Sequence, residues 1–199
     1  MLGSQHDVID RLAGIEPGSR FDGVRAGRPE ARANAQKSYL ALFAPTDASD
    51  VSIEERFALA TFVAGLHREA AALSFYRDGL ARSNVVAAIA AETARGETQG
   101  PYGHYPAGPL SAEDKPGLIY RVEEANRSAL GQRLSAAMEH AHLLVFRPRD
   151  ASPTALQALL DAGWSTTGIV TLSQLVAFLS FQIRVIVGLR ALAAAPEKE

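Results

Sequence analysis

Residues 166–183, TTGIVTLSQLVAFLSFQI, contain no charged side chain. A run of about 18 such residues is at the length where a membrane span becomes a candidate, and in water it must be covered by other apolar surface. Ser173, Gln174, Ser180 and Gln182 interrupt it, and Arg184 follows at once. A helix that is apolar on all sides serves equally at the centre of a helical bundle or in an oligomer interface. The remaining helical segments are amphipathic, so the run is read as a core or interface helix, and no membrane partner is expected.

At 199 residues the chain is long enough for one domain with a sizeable core. Its 47% hydrophobic and 21% charged content exclude general disorder. A net charge of −2, without a basic run, gives no electrostatic case for nucleic acid. There is no cysteine, which excludes disulfides, thiolate metal sites and a cysteine nucleophile. The start, MLGSQHDVIDRLAGI, carries Asp7 and Asp10 and lacks a basic segment followed by an apolar core. It is not a secretory signal, and a cytoplasmic location is expected.

The clearest helix start is at residues 52–82. Ser52 followed by Glu55 is a capping-box pair, and Phe57, Leu59, Phe62, Val63 and Leu66 follow at mostly helical spacing. Gly65 predicts a kink or a division into two helices. Residues 7–14 read as a short amphipathic helix, 16–29 as a Gly-, Pro- and Arg-rich loop, and 29–44 as a helix with Pro29 in its first turn. Asn84 can cap a helix that Gly96 ends. Residues 96–117, GETQGPYGHYPAGPLSAEDKPG, form a long loop, expected to be a lid, an interface arm or disordered. Residues 118–146 read as one long helix and 153–162 as a short one. The last helix is capped by Ser165 or Thr166 and runs to about residue 194. Nothing alternates like a strand, so the fold class is all-α, a single helical domain over 1–199. Residues 52–66 and 165–179 both pass from a hydroxyl cap into an apolar helix, as an internal duplication or two ordinary helices would.

Four polar groups in the central stretch are candidates for chemistry: Glu55, His67, Glu69 and Tyr76. Each also has a structural reading. Glu55 can close the capping box, and Glu69 suits the first turn of a helix. His67 can be a surface histidine, and Tyr76 a half-buried core residue. Arg184, flanked by Ile183 and Val185, needs a carboxylate if it is buried, and Glu54, Glu55 or Glu69 is the expected partner. His104 and Tyr105 in the long loop are candidate ligand-binding residues. His140 and His142, two apart, cannot share a helix face, and no metal site is expected. No phosphate-binding glycine loop and no GxSxG elbow is present.

ERFALATFVAGLHREAAALSFY at 55–76 and LLDAGWSTTGIVTLSQLVAFLSFQIRVIVGLRAL at 159–192 resemble the alkylhydroperoxidase D-like, or carboxymuconolactone decarboxylase-like, superfamily. YGHYPAGPLSAEDKPG and HLLVFRPRDASP resemble its peroxidase-related subgroup. The resemblance covers most of the chain and implies an alkylhydroperoxidase D-like helical bundle and a homo-oligomer. In the redox members a glutamate precedes a Cys-x-x-Cys at a helix start, with a histidine about one turn on. Aligned on the glutamate, Glu54 or Glu55 matches the acid. The first cysteine then falls on or beside Glu69, the second on Ala72 and the histidine on Phe75 or Tyr76. Both thiols are missing.

The decarboxylase branch works without a metal or organic cofactor, so none is expected here. A pocket with Glu69, Tyr76, His67 and Arg184 would supply an acid–base pair and an anion clamp for a small carboxylate. The first expectation is therefore a cysteine-free, peroxidase-related protein that binds a small carboxylate or apolar molecule, with acid–base lyase chemistry. The alternative is a non-catalytic oligomeric partner of a cysteine-containing relative. A genuine peroxidase would need a redox group that the sequence does not supply.

Overall fold

The computed structural model describes residues 7–80 and 83–195. Residues 1–6, where the signal-peptide reading begins, and 81–82, at the end of the central stretch, lie outside the described residues. Local signals place most elements. Asp7 caps α1 (Val8–Ala13), accepting from the backbone N–H groups of Ile9 and Asp10. Pro29 opens α3 (Pro29–Phe43). The capping box of α4 (Ile53–Leu66) is complete: Ser52 Oγ accepts from Glu55 N–H, and Glu55 Oε2 accepts from Ser52 N–H at 2.8 Å. α5 (Ala70–Arg77) follows a turn at residues 67–69, and α6 (Ser83–Gly96) begins one residue ahead of the expected cap, Asn84. Then come α7 (Glu124–Phe146), α8 (Pro153–Asp161) and α9 (Thr166–Ala194), the last capped by Ser165. The described residues are all-helical, without a named strand.

α4 is the axis of the fold. From Ala58 onward every residue of it is buried, and it packs on α3, α5, α6, α7 and α9. Small side chains at Ala58, Ala60, Ala64 and Gly65 let these neighbours approach. α9 is less enclosed than its composition implies. Ile169, Leu172, Leu175, Val176, Leu179, Ile183 and Ile186 face α1, α3, α4, α7 and α8. Val170, Phe181 and Leu192, spaced eleven residues apart and therefore on one line of the helix, are 52%, 47% and 47% exposed. By length and composition alone α9 could cross a membrane.

Two sequence expectations need correction. Residues 16–29 are not all loop: α2 (Arg20–Ala26) forms there, capped by Ser19. It buries no residue, so it has no apolar stripe to read. Ion pairs hold it instead, Arg25 to Asp7 and Asp10 at 2.8 Å each, and Asp22 to Arg32, which also pairs with Asp10. Residues 118–123 are not helical. Tyr120 and Val122 are buried while Arg121 and Glu123 are exposed, the period-two pattern of extended chain. Tyr120 donates to the buried carboxylate of Glu92 at 2.7 Å, fixing that segment on α6. The division into two helices expected near Gly65 is present, since α4 ends at Leu66 and α5 begins at Ala70, while Gly65 itself lies within α4. Its missing side chain admits α6, and a break falls within α7 at Gly131 (φ 75°, ψ 164°), a conformation that suits glycine.

The loop at 96–117 is folded back on the bundle. Gly103 and Lys115 form a single antiparallel bridge, and Tyr102 is buried with its hydroxyl donating to Leu118 O at 2.7 Å.

Candidate functional site

His67 ends α4 as its C-cap, and Arg68 behind it takes a left-handed conformation (φ 55°), so the chain reverses into α5. This turn brings His67 against the middle of α9. Its Nε2 lies 3.3 Å from Ser180 Oγ. One turn along α9, Arg184 Nη1 donates to Ser180 O at 3.1 Å. These three side chains line a groove of about 660 Å³, with Ser173 and an apolar wall from Pro101, Leu144 and Phe146. That volume suits a small-molecule site, where typical values are about 300–1,000 Å³.

Burial, helped by the positive charge of Arg184, lowers the His67 pKa from its ordinary value. The ring is therefore neutral at pH 7, with one donor and one acceptor nitrogen. Arg184 is exposed and has its guanidinium available to an anion. The expected carboxylate pairing of Arg184 is thus corrected. Glu55 is taken by Arg133, Nε to Oε1 at 2.6 Å, and Glu69 by Arg190. α9 turns Arg184 outward because the buried side of the helix at this level belongs to Gln182, Ile183 and Ile186.

The structure brings His67 and Arg184 together and leaves the other candidates elsewhere. Glu69 is buried as the N-cap of α5, accepting from Ala72 N–H at 2.5 Å. Tyr76 is fully buried and donates to Gln182 Oε1 at 2.6 Å, and burial pushes its pKa up. The four-residue pocket of Glu69, Tyr76, His67 and Arg184 does not form, because α5 points Glu69 and Tyr76 into the core. Glu55 stays in its capping box. His104 is exposed, its Nδ1 3.6 Å from Asp150. Tyr105 lies under the Arg149 guanidinium at 3.9 Å, on a separate groove shared with Gln99 and Lys115.

Sequence reasoning did not single out Ser180, noted only as a polar interruption. Its spacing of four from Arg184 was the available signal. Arg133 and Arg190, which neutralise the two candidate glutamates, carried none. Among the described residues no three His, Asp or Glu side chains converge as a metal-ligand set.

No protein-family model matches this chain, and neither a curated protein nor a solved structure does.

Proposed function

We propose that the chain is a cysteine-free relative of the alkylhydroperoxidase D-like superfamily that binds a small carboxylate in the groove between the end of α4, α7 and α9. The contact of His67 with Ser180 beside Arg184, in an otherwise apolar groove, carries this reading. Arg184 would hold the substrate carboxylate at the rim. Neutral His67 would accept a proton from the carbon next to a carbonyl and return it to the product, the proton transfer a lyase or isomerase needs. Ser180 would orient the ring. With no cysteine, the thiol pair of the redox relatives has no counterpart, so this reading favours acid–base chemistry over peroxide reduction.

Incubation with small lactones and 3-keto acids, followed by NMR, tests it. Turnover lost in His67→Gln, with Arg184→Ala weakening binding roughly tenfold or more, is the expected result. No binding of any such acid would overturn it.

The exposed line Val170, Phe181 and Leu192 favours a second reading, a subunit that associates through α9 with a copy of itself or with a cysteine-containing relative. We read α9 as an element of this bundle rather than as a membrane span, on its packing against five other helices, and propose a cytoplasmic location.

A further inference from the structure

Among the described residues, Arg56 is a buried cation without a carboxylate partner. It is 5% exposed. Its Nε donates to Val51 O at 2.9 Å and its Nη1 to Leu42 O at 2.8 Å, tying the end of α3 to the start of α4. Among the described residues it forms no ion pair, and Nη2 has no hydrogen-bond partner. Two backbone carbonyls offer only partial negative charge, and a buried guanidinium lacking a counter-ion is costly. Its pKa is accordingly lowered by burial, opposed only by nearby Glu55, whose carboxylate is engaged by Arg133.

Arg56 lines a groove of about 650 Å³ between α3 and α9, on the other side of the exposed α9 face from His67. The walls include Ala41, Pro45, Phe178 and Phe181, with Thr171 and Gln174 above. Asp47, also lining it, accepts from Ser49 N–H at 2.8 Å and makes no ion pair with Arg56.

We propose that this groove is a second site, for a singly charged amphiphile such as a medium-chain fatty carboxylate, its head on Arg56 Nη2 and its chain along Phe178 and Phe181. One free guanidinium nitrogen matches a monoanion better than a dianionic phosphate, which needs several donors to be held. The apolar wall selects against tailless anions. The proposal is independent of the reading given to the His67 groove.

The test is calorimetric titration of the whole protein with octanoate, octan-1-ol, octyl phosphate and acetate. Octanoate is expected to bind at least tenfold tighter than each of the others. Gln174→Trp, a change at an exposed position that fills the groove, should abolish octanoate binding, and Arg184→Ala should leave it unchanged. Arg56→Lys should weaken it at least fivefold, with folding checked by circular dichroism. Equal binding of octanol, tighter binding of octyl phosphate, or binding that survives Gln174→Trp would overturn the proposal. So would loss in Arg184→Ala, which would place the acid in the His67 groove. Failure to take up octanoate, in an oligomer that Gln174→Trp dissociates, would show that a second copy covers the groove and would also overturn it.

Discussion

Tyr76 on α5 donates its hydroxyl proton to Gln182 Oε1 on α9 at 2.6 Å, and both side chains are fully buried. This bond joins α5 to α9 across more than half the chain. It leaves Gln182 Nε2 without a partner. Tyr76→Phe should therefore destabilise the fold by about 1–3 kcal/mol, because the second polar atom of a buried amide is then orphaned. Adding Gln182→Leu should recover most of that loss. Urea denaturation of the two single variants and the double variant measures the coupling, and additive losses would show that the bond is not the cause.

Gly65 is required by the α4–α6 contact. A Cβ there would lie 2.4 Å from Thr93 Cγ2. Glycine to alanine inside a helix ordinarily stabilises by about 1 kcal/mol. Here the sign should reverse, with Gly65→Ala costing about 1–3 kcal/mol through overpacking. Thr93→Ala in the same chain removes the offending methyl and should restore stability, as read from the denaturation midpoint.

Arg190 neutralises the buried carboxylate of Glu69 and also donates to Leu12 O. Removing one partner of a buried pair costs about 3–5 kcal/mol, but Arg190 is partly solvent-screened. Arg190→Ala should thus cost nearer 2 kcal/mol by chemical denaturation. Glu69→Gln in the same background should return part of it, because a neutral amide tolerates burial better than a lone carboxylate.

His142 is fully buried, stacked on Tyr120 at 4.7 Å, with its Nε2 2.9 Å from Gly96 O. Burial lowers its pKa to about 4. His67 and His140 are lowered as well, burial again the leading cause. A histidine depressed in this way is neutral when folded, so the unfolded chain binds more protons below its ordinary value near 6.5. Stability should fall as pH drops from 6.5 toward 4. Asp22 and Asp47, held below 3.8 chiefly by backbone N–H groups of Gly18 and Ser49, lose their contributions only at still lower pH. Melting temperatures from pH 7 to 4.5 should decline, less steeply in His142→Gln. A flat profile would remove the histidines as the cause.

The helical starts were written in short sequence signals. Asp7, Ser52 with Glu55, Ser152 and Ser165 each accept from backbone N–H groups within their own turn, and Pro29 lacks the N–H that a first turn leaves unpaired, so these are signals of local chemistry. α2 and the extended segment at 118–123 escaped because distant partners hold them: Asp7 and Asp10 for Arg25, and Glu92 for Tyr120. The candidate residues divide in the same way. His67 and Arg184 are legible as residue types, but their meeting depends on where the turn at Arg68 aims α5 and which side of α9 faces the core.

The sequence by itself determined an all-helical chain, the absence of any thiol chemistry and the serine caps of α4, α8 and α9, because each depends on composition or on neighbours within four residues. Only the tertiary structure decided that α4 rather than α9 is the enclosed axis, that Glu69 answers Arg190, and that Arg56 lines a groove with no ion pair among the described residues. Those outcomes depend on side chains far apart in the sequence arriving at one place, and on packing that leaves room for some of them and none for others.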